Sequence, residues 1–445
     1  MAESTSEATP FHLDGNFAPV FEERTETGLE VTGSIPPELA GRFFRNGSNP
    51  QSGWSPHWFL GNGMIHGVEI QGGRATWYRN RYVKTPLLTD PERQHVGEDG
   101  AVERHYSCAN THVISHGGKI LALEEGHFPF ELTPDLETVG PWDYEGKLDT
   151  GMTAHPRICP ETGELLFFSY SSTPPYLVYY RVAADGTLVQ REEIDVKGPT
   201  MMHDWNVTRN HIVFMDLPVI FDMEMAGEGG FPIRWSDEYG ARLGVMPRNG
   251  TNEDVVWYEI PPCYVFHPLN SYEDGDTIVL DVARYEKLAF GPNDSGGTPA
   301  SMYRWEIDQK AGKVSGTQID DLAVEFPRMN DSVIGLPHRY GYLAGGFGGE
   351  GTPGAFLHKY DVQTGKRWTH ALGGGQAGEP VHAAAPGASG EDDGWVMTFV
   401  YDPARDRSDL VLLDATDFEK EPVARIHLPA RVPFGFHGSW IPDSA

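Results

Sequence analysis

Cysteine is scarce in this chain: among 445 residues there are three, Cys108, Cys159 and Cys263, far apart and without a C-x-x-C pair. That excludes a disulfide scaffold and a thiolate zinc cluster, and leaves each cysteine as a small buried hydrophobe. Positive charge is also short, with 34 Lys+Arg against 64 Asp+Glu and a net charge of -30. Neutralising phosphates needs the opposite surplus, so no nucleic-acid partner is expected. Apolar runs stop well below the roughly 20 residues of a membrane-spanning helix. Residues 1–10, MAESTSEATP, lack the basic start and apolar stretch of a secretory signal, so the expected compartment is cytoplasmic. Helical periodicity is nearly absent, no glycine-rich dinucleotide fingerprint is read after a strand, and there is no G-x-S-x-G elbow of a serine hydrolase.

What the chain does have is 52 glycines and 34 prolines, spread evenly, with short apolar or β-branched runs between them. ELLFFSYS at 164–171, TIVLDVARY at 277–285 and WVMTFVYD at 395–402 read as strands. Asp-Gly at 99–100, 185–186 and 274–275 and Asn-Gly at 46–47, 62–63 and 249–250 read as the tight turns between them. IPPELA at 35–40 is expected to form a single turn, and 403–418 a turn or two of helix. Segments 223–250, 286–299 and 386–393 are expected to be long surface loops, the first carrying apolar side chains suited to a lid or patch. No linker or boundary divides the chain, so one all-β domain over 1–445 is expected; no WD-like or kelch-like repeat declares a propeller.

Four of the 18 histidines stand in unusual surroundings: His155 in GMTAHPR, His203 in TMMHDWN, His267 in YVFHPLN and His437 in PFGFHGSW. Each is flanked by apolar residues and by Pro, Gly or Asp, as at the end of an element with the ring pointing inward. No hairpin spans their separations, whereas a radial β architecture sends distant strand ends to one axis. Neutral imidazoles there suit iron, zinc or copper, while magnesium or calcium would call for carboxylates. His57, His66 and His112 carry no such marking. Asp204 is read as capping a turn or positioning a strand.

From GSIPPELAGRFFRNGSNP at 33–50 to the C-terminus, the chain resembles the carotenoid cleavage oxygenases, non-haem iron enzymes that include stilbene-cleaving members. The resemblance implies a seven-bladed β-propeller whose loops cap the metal, with Fe(II) held by His155, His203, His267 and His437. It also implies three glutamates hydrogen-bonded to the histidines, which by local motif are Glu125 (next to Glu124), Glu325 and Glu379. A carboxylate accepting the far ring N–H fixes the tautomer and strengthens the ligand. The implied chemistry inserts O2 across a conjugated carbon–carbon double bond, giving two carbonyl products without nicotinamide, flavin or haem.

A hydrophobic conjugated alkene gains affinity by leaving water, so aromatic walls are expected. Trp205, Phe266 and Phe436 are the leading candidates, followed by Phe59, Trp142, Tyr144, Tyr170 and Phe434. Stilbene-cleaving relatives handle a phenol with a tyrosine and with a lysine beside the metal-shell glutamate. Glu124 stands at that lysine position here, which favours an apocarotenoid over a stilbene or phenylpropenoid; Tyr82 and Lys84 remain as polar contacts. Transient membrane contact through 223–250 is a further expectation, and a non-catalytic binding propeller is the alternative from another class.

Overall fold

The computed structural model describes residues 9–92, 102–227, 232–289, 297–346 and 354–443. Within them, seven antiparallel sheets form the blades of a β-propeller, and a two-stranded ribbon is inserted in the fourth. Blades 2, 3, 5 and 6 are plain four-stranded meanders, running from His112–His116, Arg157–Ile158, Tyr264–Asp274 and Val324–Arg328 outward. Blade 4 starts at Asn206–Val207 and carries the ribbon Val219–Phe221 with Ile233–Trp235.

Blades 1 and 7 are shared between the two ends of the chain. Gly438–Pro442 pairs with Gly41–Ser48 as the edge strand of blade 1, and Val31–Gly33 pairs with Ala424–His427 as the far edge of blade 7. The ring is therefore closed twice by hydrogen-bonded strands from opposite ends of the sequence.

The apolar strands follow from this stacking. A blade is covered on both faces by its neighbours, so alternate residues enter two different cores and both sets are apolar. In Leu165–Tyr170, Leu165 and Phe167 join the core shared with blade 2, while Leu166 and Phe168 join the one shared with blade 4. In Gly394–Asp402, Trp395, Met397 and Phe399 face blade 1, and Val396 and Val400 face blade 6. Burial of each such side chain is worth about 1.5–3 kcal/mol, which fixes strand register face by face.

Several local expectations change. The segment 403–418 holds the strand Arg407–Asp414, not a helical turn: its residues are apolar on both faces because the blade is doubly covered. Asn46-Gly47 lies inside the strand Gly41–Ser48; a Cβ on Gly47 would sit 2.9 Å from Gly435, so close approach of two strands, not a turn, explains the glycine. Segment 223–250 is no single loop, since it contains the short helix Met223–Gly227 and the strands Ile233–Trp235 and Ala241–Pro247; its residues 228–231 lie outside the described ones. Residues 290–296 and the Asp-Gly at 99–100 also fall outside them. A G-x-G-x-x-G run at 373–378 does follow the strand Lys366–Ala371, but it leads into the edge strand of blade 7, so no helix N-terminus is there to cradle phosphate. Among the described residues, no helix is long and apolar enough to cross a membrane.

Candidate metal centre

All four marked histidines lie in, or one to three residues before, an edge strand that faces the propeller axis. His155 and His203 precede Arg157–Ile158 and Asn206–Val207, His437 directly precedes Gly438–Pro442, and His267 lies within Tyr264–Asp274. That last strand slips register on both sides of Pro268, which has no N–H to give the ladder; the irregularity turns the preceding imidazole to the axis. The four rings bring one nitrogen each to within 4.8 Å of one another. His155 Nε2 is 3.0 Å from His203 Nε2, which is 3.2 Å from His267 Nε2.

The far sides of the rings face carboxylates. His267 Nδ1 donates to Glu325 Oε2 at 2.6 Å and His437 Nδ1 to Glu379 Oε1 at 2.9 Å. His203 Nδ1 lies 2.5 Å from Glu125 Oε1. With the Nδ1 hydrogens turned to acids, the Nε2 lone pairs face one another, and lone pairs 3 Å apart repel unless a cation stands between them. Nitrogens about 3 Å apart are the spacing of neighbouring ligands that each reach an ion at about 2.1 Å. The donor set therefore fits a divalent transition metal, and the structure brings together all four predicted ligands and all three predicted glutamates.

Burial and the neighbouring imidazoles hold His155 well below the usual histidine range, and burial carries His437 down to about 3 against the pull of Glu379. Burial would lower His267 too, but Glu325, with Asp204 and Glu379 behind it, leaves the ring raised. Burial alone would raise Glu379; Arg328 and His437 keep its carboxyl well below the usual range.

Each glutamate has a second anchor. Tyr170 donates to Glu125 Oε2, and Tyr285 donates to Glu325 Oε1 at 2.8 Å. Glu379 Oε2 accepts from the Gly438 N–H at 2.8 Å and pairs with Arg328 at 3.0 Å. Glu325 also accepts from the Phe326 N–H at 2.6 Å, at a register shift within the strand Val324–Arg328 where Phe326 takes φ 55°, a left-handed value that costs a non-glycine residue about 1–2 kcal/mol. The strained residue lays its ring on His267, with centroids 5.2 Å apart and planes at 23°.

An aromatic group adjoins this side of the centre. Phe326 is 5.6 Å from His437 and 6.2 Å from Phe434, and Phe436 packs 4.6 Å from Trp58 and 5.8 Å from Phe59. Phe266 stands edge-on to His203 at 5.1 Å. Trp205 is a correction: it is fully buried among Phe168, Tyr179 and Phe214, and its Nε1–H donates to the His155 carbonyl at 3.0 Å, so it packs the blade interface and steadies a ligand. Trp142 and Tyr144 sit away from the centre, Trp142 under the Lys119 ammonium at 4.1 Å and Tyr144 in the core of blades 2 and 3. Tyr82 is engaged by Asn49 at 2.6 Å and Val20, and Lys84 lies 3.9 Å from Glu137.

Sequence reasoning missed the supporting groups. Phe326 and Arg328 carried no signal beyond closeness to Glu325 in the chain, and Tyr285, 40 residues away, carried none. His112, set aside earlier, reaches the Ala154 carbonyl at 2.8 Å and the Gly438 carbonyl at 3.3 Å, bracketing His155 and His437.

A closed propeller with four axial imidazoles backed by buried acids defines a protein with a site fit for a divalent metal. The comparisons with known proteins narrow the class. Residues 17–442 match the family profile described as "Retinal pigment epithelial membrane protein". The carotenoid cleavage oxygenase of Mycobacterium tuberculosis is 39% identical over 507 aligned positions, covering 100% of this chain and 99% of that protein. The carotenoid 9,10(9',10')-cleavage dioxygenase 1 of Arabidopsis thaliana is 34% identical, covering 98% and 90%. Among solved structures, the lignostilbene dioxygenase of Pseudomonas brassicacearum superimposes with a TM-score of 0.88 at 29% identity, covering 98% of this chain and 100% of that one. The cobalt-substituted apocarotenoid oxygenase of Synechocystis gives 0.85 at 27%, covering 96% and 97%. The chain belongs to the carotenoid cleavage oxygenase family, and it is an alkene-cleaving dioxygenase of that family.

Proposed function

We propose that the protein uses Fe(II) to cleave a conjugated double bond of an apocarotenoid with O2, yielding two carbonyl products. The observation that carries this reading is the convergence of one ring nitrogen each from His155, His203, His267 and His437 on the axis, beside an apolar aromatic wall. Iron bound there would supply the electrons that activate O2, a role that redox-inert zinc cannot fill. Glu125, Glu325 and Glu379 hold the Nδ1 hydrogens and so keep each Nε2 available. Phe266, Phe326 and Phe436 exclude water and offer flat faces to a polyene. Both oxygen atoms of O2 end in the carbonyls, so no external reductant is consumed.

For the substrate class, the supporting residue is Glu124. Its carboxylate accepts from the Gly126 N–H and from His127, both at 2.6 Å. Burial would raise its pKa, yet His127 and the backbone donors keep it below the usual range and hence anionic. An anion at this position disfavours a phenolate, where a lysine would attract it. O2 and a hydrophobic polyene are therefore the partners we assign, with delivery from a membrane surface as the route, in a chain that acts as one domain in the cytoplasm. Incubation of Fe(II)-loaded protein with apocarotenoids, stilbenes and vinylphenols under 18O2 tests this. Labelled aldehydes from apocarotenoids are expected; cleavage of stilbenes alone would refute the substrate assignment, and Fe(II)-independent turnover would refute the metal.

A further inference from the structure

Three of the ligands lean on a glutamate brought from elsewhere in the ring. His155 has none. Among the described residues, the carboxylate within ion-pair range of its Nδ1 is Asp204, whose Oδ2 lies 3.5 Å away. Asp204 is 2% exposed and follows His203 directly in the chain. Its other oxygen, Oδ1, is fully used: Arg157 Nη2 donates to it at 2.7 Å, and so does the Trp205 N–H at 2.7 Å. These two partners also reach the other side of the histidine, since Arg157 Nη1 donates to the His155 carbonyl at 3.3 Å and Trp205 Nε1 does so at 3.0 Å.

We infer that Asp204, locked by Arg157 and Trp205, is the positioning residue for His155. Because His155 Nε2 faces His203 and the axis, its remaining hydrogen belongs on Nδ1, the side on which the negative charge of Oδ2 stands 3.5 Å away, an electrostatic contact longer than a hydrogen bond. Arg157 and the Trp205 N–H hold Oδ1, so the carboxylate cannot swing round and Oδ2 remains directed at the ring. Arg157 also balances the charge of Asp204, which a buried carboxylate needs when its other neighbour is a neutral imidazole. A turn cap would need only the Trp205 N–H; the cation beneath it and the free oxygen toward the ligand are left unexplained by that role.

This inference rests on the metal reading proposed above, and the test separates the two. Zn(II) and Co(II) affinities of the apo-protein are measured by competition with a chromophoric chelator, for wild type, Asp204→Asn, His155→Ala and the double variant. Groups that orient a ligand from behind are worth 10–100-fold in affinity, and a 3.5 Å contact belongs at the lower end, about tenfold. Asp204→Asn is expected to weaken Co(II) binding about tenfold in the wild-type background and by less than about twofold once His155 is gone, with a shifted Co(II) absorption spectrum only when His155 is present. An equal loss in both backgrounds, or no loss in either, would overturn the assignment. Undiminished affinity in His155→Ala would instead refute the four-histidine site. Should Asp204→Asn not fold, Arg157→Gln goes through the same cycle, with the same dependence on His155 expected and the same two results against it.

Discussion

Replacing a buried glutamate by glutamine is usually treated as one experiment, but here Glu325 and Glu379 should answer it differently. All the partners of Glu379 are donors only: His437 Nδ1–H at 2.9 Å, the Gly438 N–H at 2.8 Å and Arg328 at 3.0 Å. A glutamine must turn its NH2 toward one of them, so a donor faces a donor in a place where the side chain is 3% exposed. Arg328, whose charge burial opposes and Glu379 sustains, also loses its buried counter-charge. A lost charge-assisted bond costs about 1.5–3 kcal/mol, and breaking a buried pair about 3–5 kcal/mol, so Glu379→Gln should destabilise the protein by about 3 kcal/mol or more. Glu325 has a different set. Its Oε2 serves two donors, His267 and the Phe326 N–H, but Oε1 meets the Tyr285 hydroxyl at 2.8 Å. A hydroxyl can reverse, so the glutamine keeps its carbonyl on the donors and gives its NH2 to Tyr285. Glu325→Gln should therefore cost less than about 1 kcal/mol. Denaturant melts of the two apo-variants beside wild type decide the matter. Equal losses, or the larger loss at Glu325, would refute the reasoning, and adding Tyr285→Phe to Glu325→Gln should restore the missing penalty.

Three other outcomes are expected. Chelation should lower the thermal midpoint and a divalent metal restore it, by about 2.7 kcal/mol when free metal is 100 times its Kd, as read by calorimetry. His203→Ala should lose metal loading and activity together while circular dichroism stays unchanged, because the ring contributes a ligand and little of the interblade core. Stability should fall on acidification: burial pushes His338 and His382, away from the metal, down to about 4. Between pH 4 and the ordinary value near 6.5 the unfolded chain binds more protons than the folded one. Their contribution is thus complete above about pH 6.5 and falls by at most about 1.4 kcal/mol per pH unit for each histidine, so His382→Phe, which keeps a flat ring on Tyr342, should flatten the pH dependence of urea melts.

The ligands were legible because chemistry needs particular atoms: no other side chain offers a neutral nitrogen at the end of a strand, and the apolar flanks of His155, His203, His267 and His437 marked rings turned inward. Strands such as Thr277–Tyr285 and Gly394–Asp402 were legible because double coverage makes them apolar throughout. The same coverage hid Arg407–Asp414 within 403–418, the stretch expected to give a turn or two of helix. Asn46-Gly47 misled because a glycine needed for close approach reads like one needed for a turn. Trp205 looked like a substrate wall because it neighbours a ligand; which way it points is set by Phe168, Tyr179 and Phe214 on three other strands. The number of blades came with the family resemblance, because the pairings that close the ring join segments from opposite ends of the chain.

Ring closure and the metal centre depend on the same residues. His437 leads directly into the strand that closes blade 1, and its own backbone is tied to both neighbours: the Asn46 N–H donates to its carbonyl at 2.9 Å, and its N–H donates to Thr111 at 3.0 Å. Glu379, from the edge of blade 7, holds its ring. One residue thus links blades 1, 2 and 7, while the other three ligands come from blades 3, 4 and 5. A metal bound to all four would span the seam, its binding energy would add to the strand pairing that holds the ring shut, and an open seam would withdraw a ligand. The need for a fourth imidazole therefore explains why the closing strand begins where it does, immediately after His437, with Gly438 so close to the Phe44 carbonyl that a Cβ there would lie 2.4 Å from it.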